Sequence, residues 1–325
     1  MTRIVPLFVA AVLGLCLPVT SAQAQLARTF VSNATGSDLN DCNRFTPCRS
    51  FQRAHNNTLP LGEITVLDPG GYGAITITKA ISIINDGVGE AGALVSGGFA
   101  GITISAGATD AVNLRGLTVK GIGFGGGNGI VFNSGGSLTV ENCAIRTLDG
   151  TGLGFGILFQ PSGSSHLAVL NTIVSDTRST GINIVPTGDG NVTASLSWVR
   201  VINSTIGSGI NVTAGQSGST ANIKVAVEDS MAARNAVTGF RVNAANPPVG
   251  PQALLTVTRS IAAHNATGAT ATNVGAILQL GQSILTGNTA LSWAAQSGAL
   301  VQSFGDNRID GNGDTDPAPP PFPLK

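Results

Sequence analysis

The sequence predicts an all-β chain: a right-handed parallel β-helix of about nine coils with a short N-terminal helical cap. Three observations predict it. First, a Gly-Ile signature recurs as Gly101-Ile102-Thr103-Ile104, Gly129-Ile130-Val131-Phe132, Gly156-Ile157-Leu158-Phe159, Gly181-Ile182-Asn183-Ile184, Gly209-Ile210-Asn211-Val212 and Gly239-Phe240-Arg241-Val242, its glycines 28, 27, 25, 28 and 30 residues apart. Second, an apolar element falls between these strands, at 114–119, 140–145, 169–174, 227–232, 257–262 and 280–285. Third, glycine is abundant, at 44 residues, and it suits many tight turns between short strands. A period of this length describes stacked units, none of which buries a core alone.

The elements follow in order. Residues 1–24 read as a signal peptide, with Arg3 as the positive start, an apolar run over 4–19 and small residues for cleavage after Ala24. Leu15 before Cys16 is too bulky for a lipidation signal. Residues 25–61 form the cap: a strand at 29–32, a polar loop, then a short helix within 47–57 that carries Phe51 and Ala54. A cap is required because the first rung of a solenoid has an open edge. Cys42 and Cys48 lie six apart in an exported chain, which reads as a disulfide, with a metal pair as the alternative. No second Cys or His pair lies nearby, so no metal site is expected.

Coils run over 62–312. Alternation puts Ile130 and Phe132 inside and Val131 and Asn133 outside. Rungs about 4.8 Å apart would make a rod about 43 Å long. Cys143 falls at an inward position, as a small buried hydrophobe. Asn235, Asn265 and Asn288 each stand five residues after Ser230, Ser260 and Ser283, which predicts an amide ladder at one corner. Asn142 and Asn171 suggest another. Residues 313–325 are a proline-rich tail that cannot join a ladder and that could shield the last rung.

Composition bounds the function. Lys+Arg and Asp+Glu balance at 17 each and only 10% of residues are charged. No basic stripe points to nucleic acid or an anionic membrane, and no later run is apolar and long enough to span a bilayer. No cofactor motif is present. The outward positions of the Gly-Ile strands hold Asn183, Asn211 and Arg241 in three successive coils, a candidate ligand-binding line without a carboxylate. Catalytic candidates are weaker. Asp149, Asp176 and Asp189 sit in turns and read first as turn aspartates. Glu228 and Asp229 align with Arg259 one coil on, and read first as a solvated cross-rung ion pair. Arg115 aligns likewise with Glu141. The three histidines, His55, His166 and His264, read as surface residues without a triad or metal set. Tyr72 reads as a turn residue packed on the cap, and Trp198 as a corner residue beside Arg200 that could face a ligand.

The Gly-Ile strands, elements such as Leu138-Thr139-Val140-Glu141-Asn142-Cys143-Ala144-Ile145, and Asn265 and Asn288 resemble the pectate-lyase-like superfamily of right-handed parallel β-helices over residues 62–312. The opening Thr29-Phe30-Val31-Ser32, Gly36-Ser37-Asp38, Cys42, Pro47-Cys48 and Phe51 looks like the cap of secreted bacterial β-helix proteins with no assigned activity. The resemblance implies an extracellular chain that meets polysaccharide. It does not bring the catalytic patterns: Asn-Thr-Asp, Asp-Asp, Gly-His-Gly and Arg-x-Lys are absent, as is a carboxylate row for calcium. The expectation is therefore a non-catalytic secreted or periplasmic binding protein for glycans, including envelope glycans. The alternative is a polysaccharide lyase or glycoside hydrolase with loop-borne residues.

Overall fold

A computed structural model describes residues 25–122, 126–150, 152–245 and 252–322. The predicted leader, 1–24, lies outside the described residues. Each coil contributes one strand to each of three parallel sheets, so the chain is a parallel β-helix. Among the described residues the first sheet has eleven strands, from Leu26–Val31 to Leu300–Ser303. The second has ten, from Gly70–Gly71 to Arg308–Asp310, and the third has nine, from Ile75–Ile77 to Leu291–Gln296. The chain runs first, second, third sheet and then climbs one rung.

The Gly-Ile strands build the third sheet. Ile102, Ile130, Ile157, Ile182, Ile210 and Phe240 pair in register, as do Ile104, Phe132, Phe159, Ile184, Val212 and Val242. All twelve are buried. Phe132 and Phe159 stack with centroids 4.5 Å apart. Val131, an outward position, is nearly covered as well, at 8% exposure. The later coils keep the register without an isoleucine: Gly268-Ala269 continues the signature, and Ala269 pairs with Phe240 below and Trp293 above.

The leading glycine has a steric cause. A Cβ on Gly156 would lie 2.3 Å from Val174 Cγ1 and 2.5 Å from the Gly181 carbonyl oxygen. Gly129, Gly181, Gly209, Gly239 and Gly268 meet the same kind of obstruction, a side chain of the second sheet or its corner and a backbone oxygen of the next rung. In the upper coils that side chain includes the asparagine ladder. Asn235 Nδ2 donates to Asn265 Oδ1 at 2.9 Å, Asn265 Nδ2 to Asn288 Oδ1 at 3.0 Å, and Asn288 Nδ2 to Asn312 Oδ1 at 2.8 Å. Each backbone N–H in the row donates to the same oxygen one rung up. The row is buried and structural from Asn235 to Asn288, and it extends to the half-buried Asn312. Ser230, Ser260 and Ser283 form a parallel ladder, each hydroxyl receiving the backbone N–H one rung below. Asn171 Nδ2 donates to Asn142 Oδ1 at 2.8 Å in the other expected pair.

Both ends are closed. The strand Leu26–Val31 would be a free edge, but Phe30 N–H donates to the Cys42 carbonyl, and Cys48 N–H donates to the Phe30 carbonyl. The Cys42–Cys48 disulfide holds that loop. The helix Phe51–Asn57 is capped by Ser50 Oγ, which accepts from Arg53 N–H. Phe51 packs on Tyr72 with centroids 5.0 Å apart. At the far end the tail does join the sheet once. Ser303 N–H donates to the Pro320 carbonyl and Phe322 N–H to the Ser303 carbonyl. A proline lacks only the donor, so the tail serves with a proline carbonyl and a phenylalanine N–H. Trp293 Nε1 donates to the Pro317 carbonyl at 2.7 Å.

His55 differs from expectation. It is buried, 4% exposed, because the cap helix turns it onto the first coil, where its Nε2 accepts the Thr78 N–H. Burial lowers its pKa, Asn56 raises it in part, and Lys79 lowers it further. Cys143 is buried as predicted, and desolvation pushes its thiol up to about 11.

Two outcomes are expected. Asn265→Ala strips Asn235 of its acceptor and costs roughly 1–3 kcal/mol, read as a lowered melting temperature; an unchanged melt would contradict the ladder. His55 takes up its proton more readily in the unfolded chain. Its contribution is therefore complete above about pH 6.5 and is lost as pH falls towards the folded value. Hydrogen exchange of the cap helix should quicken between about pH 7.5 and 5.5 beyond the intrinsic pH effect, and less so in His55→Gln.

Candidate functional site

The third sheet offers one continuous outward line. Thr76, Thr103, Val131, Leu158, Asn183, Asn211, Arg241, Thr270 and Ala294 are register partners in succession. The period of two along each strand puts them on the face opposite the core. The predicted trio Asn183, Asn211 and Arg241 is thus one file across three adjacent strands. Beside it runs a second line that includes Thr213, Asn243, Thr272 and Gln296.

The face is recessed. Asn211 is 8% exposed, and Val185, Thr213 and Thr270 are also buried. Loops stack along both borders. On the side leading to the first sheet, Thr187 N–H donates to the Pro161 carbonyl, Ser219 Oγ to the Gly188 carbonyl, and Thr220 to Asp189. On the side coming from the second sheet, Ser179 Oγ donates to the Leu153 carbonyl and Ile206 N–H to the Arg178 carbonyl.

Asn211 Nδ2 donates to Asn183 Oδ1 at 2.7 Å and to Thr213 Oγ1 at 3.1 Å. Its own Oδ1 is buried and has no hydrogen-bond partner among the described residues. In the Asn142–Asn171 pair the matching oxygen receives the amide of the next rung. Here the next rung carries Arg241, whose guanidinium makes no hydrogen bond or ion pair with any described residue. An unmet buried acceptor costs about 1–3 kcal/mol. Sequence reasoning found the file but not this defect, because it depends on side-chain geometry.

The carboxylate candidates stand off the two outward lines, on the flanks of the face or away from it. Asp176 is at the corner between second and third sheets and accepts from Asn203 Nδ2 at 2.7 Å. Asp189 accepts from the Thr220 N–H and hydroxyl, which hold it below the usual carboxylate range. Asp149 lies on the loop before Ile157–Phe159, beside Arg178, whose N–H donates to the Leu148 carbonyl. Arg178 Nε is buried without a partner among the described residues, a feature that its lone place in the sequence did not mark. Asp149 and Arg178 form no ion pair.

Glu228, Asp229 and Arg259 do come together. Arg259 donates to both oxygens of Asp229 at 2.9 Å and to Glu228 Oε2 at 2.8 Å. These bonds pull Asp229 down and Arg259 up. The group sits at the corner joining first and second sheets, the one corner that the third sheet does not share, so it does not act on the file. Arg115 is in register with Glu141, but its ion pair is with Asp86. Among the described residues no three His, Cys, Asp or Glu side chains gather as a metal set, and no helix is long and apolar enough to cross a membrane.

A crystal structure of pectate lyase Pel9A matches over 91% of this chain and 82% of that one, with a TM-score of 0.57 and 19% identity. The chain shares the parallel β-helix fold with that protein. At that identity the likeness carries the architecture, not the chemistry. No family model and no curated protein matches the sequence.

Proposed function

We infer that this pectate-lyase-like helix binds an extended polysaccharide along the outward face of its third sheet and leaves it intact. The observation that carries the reading is the file Asn183, Asn211 and Arg241, in register on three adjacent strands. Amides offer donors and acceptors to hydroxyls, and an arginine without a partner among the described residues offers a fork to a carboxylate. A neutral or weakly acidic chain molecule fits such a file, and a pectate lyase among the structures of this fold accords with that ligand class.

One point supports binding over cleavage. Glycoside hydrolysis uses two carboxyl groups within about 10 Å of each other across the scissile bond. Both outward lines of the third sheet lack an acid, and the segments 123–125, 151 and 246–251 contain none in sequence. The disulfide suits an oxidising compartment, so the reading includes export after cleavage at Ala24, to the periplasm or beyond, and an envelope or extracellular glycan as partner.

The test uses polygalacturonate and a panel of neutral glycans. Arg241→Ala and Asn211→Ala should each weaken binding about tenfold, Arg241→Ala without change in the melt. Wild-type affinity in both variants would remove the strip from the account. Prolonged incubation, with and without calcium, should yield neither new reducing ends nor unsaturated products. Cleavage that disappears in Asp149→Asn or Asp176→Asn would replace the binding protein with an enzyme.

A further inference from the structure

Trp198 stands at the corner joining first and second sheets, on the side of the rod away from the third sheet's outward face. Its φ is +56°, in the left-handed region. The same corner in other coils holds Gly116, Asn142, Asn171, Asp229, Arg259 and Gln282, all with positive φ. Glycine, asparagine and aspartate suit that backbone, whereas a bulky indole, like the long Arg259 and Gln282 side chains, does not. The indole also ends the amide series below it, since Asn171 bonds Asn142 and finds no amide one rung up. The ring is 66% exposed, so core packing does not offset the strain. Strain of this kind, uncompensated locally, is characteristic of a functional position.

The ring borders a groove of about 470 Å³, lined also by Asn171, Ile173, Arg200, Met231 and Ile261. Register places Arg200 between Ile173 and Met231 on the outward face of the second sheet. The two arginines of this groove differ. Arg259 is committed to Asp229 and Glu228, while Arg200 is exposed and its guanidinium has no partner among the described residues. The groove therefore presents a flat aromatic face, an aliphatic floor and one open cationic fork.

We propose that Trp198 and Arg200 form a second binding site, for a single anionic pyranose residue. The C–H face of the ring stacks on the indole, and the carboxylate or phosphate at its edge takes two parallel N–H bonds from Arg200. This site shares no residue with the third-sheet file, so either can fail without the other.

The protein has two tryptophans, and its two indole N–H signals in a ¹⁵N-correlated NMR spectrum are assigned with Trp198→Phe. The probes are methyl glucuronide, glucose 6-phosphate and neutral methyl glucoside. The Trp198 signal should move on titration with at least one anionic probe, and the Trp293 signal, held on Pro317, should stay. The two anionic arms tell carboxylate from phosphate. Methyl glucoside should bind about tenfold more weakly, and Arg200→Gln should erase that difference. Trp198→Asn should abolish binding of all three while keeping or raising the melting temperature, because it restores a residue suited to the corner. A Trp198 signal unmoved by every probe, an Arg200→Gln protein that keeps its charge preference, or a lower melt in Trp198→Asn would each overturn the proposal.

Discussion

The coil closes where the second sheet meets the third, and there the rungs stack too closely for a side chain. A Cβ on Gly181 would sit 2.1 Å from Val201 Cγ1, and one on Gly268 would sit 2.4 Å from the Ser292 carbonyl oxygen. That exclusion sets the period of the sequence from Gly101 to Gly268, where each coil returns a glycine to the same column, while Ala74 and Ser292 occupy it in the end coils. It also fixes the strand that follows. The first and third residues after the glycine point inward and build the core, and the second points out. In-register stacking then turns that second position into a file along the rod. The file of Asn183, Asn211 and Arg241 is thus a consequence of the glycine column, and insertions between coils are absorbed by the loops on its borders.

A solenoid must also satisfy the polar groups at its corners, and stacking lets one side chain serve the next rung. The asparagine ladder from Asn235 to Asn312 does so in the interior, and the serine ladder does so at the start of the second sheet. Both candidate sites fall where such a stack is interrupted. Asn183 bonds Asn211, and then Arg241 leaves Asn211 Oδ1 without a donor. Asn142 bonds Asn171, and then Trp198 puts an indole where an amide would continue. A structural ladder gains from identical residues on each rung. A residue that breaks the series gives up that stabilisation, and at each break stands an arginine, Arg241 or Arg200, whose guanidinium has no partner among the described residues.

Much of the fold was legible in the sequence because both of its constraints leave single-residue marks. Glycine at a fixed column and asparagine at a fixed corner survive as spacing. The continuation through Gly268-Ala269 was not legible, since alanine replaces the large inward residue once Phe240 below and Trp293 above flank it. His55 was misread as exposed because helix periodicity does not tell which coil the cap lies on. The file was readable by alternation, but its recess was not, because the stacked loops that border it have no periodic signal. The loop carboxylates could be named but not placed. Their partners, Asn203 for Asp176 and Thr220 for Asp189, lie one rung on, at distances along the chain set by loop length.

The central claim is that the outward face of the third sheet holds a sugar chain without breaking it. The most direct measurement is a crystal structure of the protein grown with an oligogalacturonate of several residues. The account predicts an unbroken oligosaccharide lying along the rod axis, with Asn183 and Asn211 bonded to hydroxyls and Arg241 bonded to a carboxylate. Sugar density broken at a glycosidic bond beside Asp149 or Asp176, or a chain bound away from this face with the file still in solvent, would contradict it.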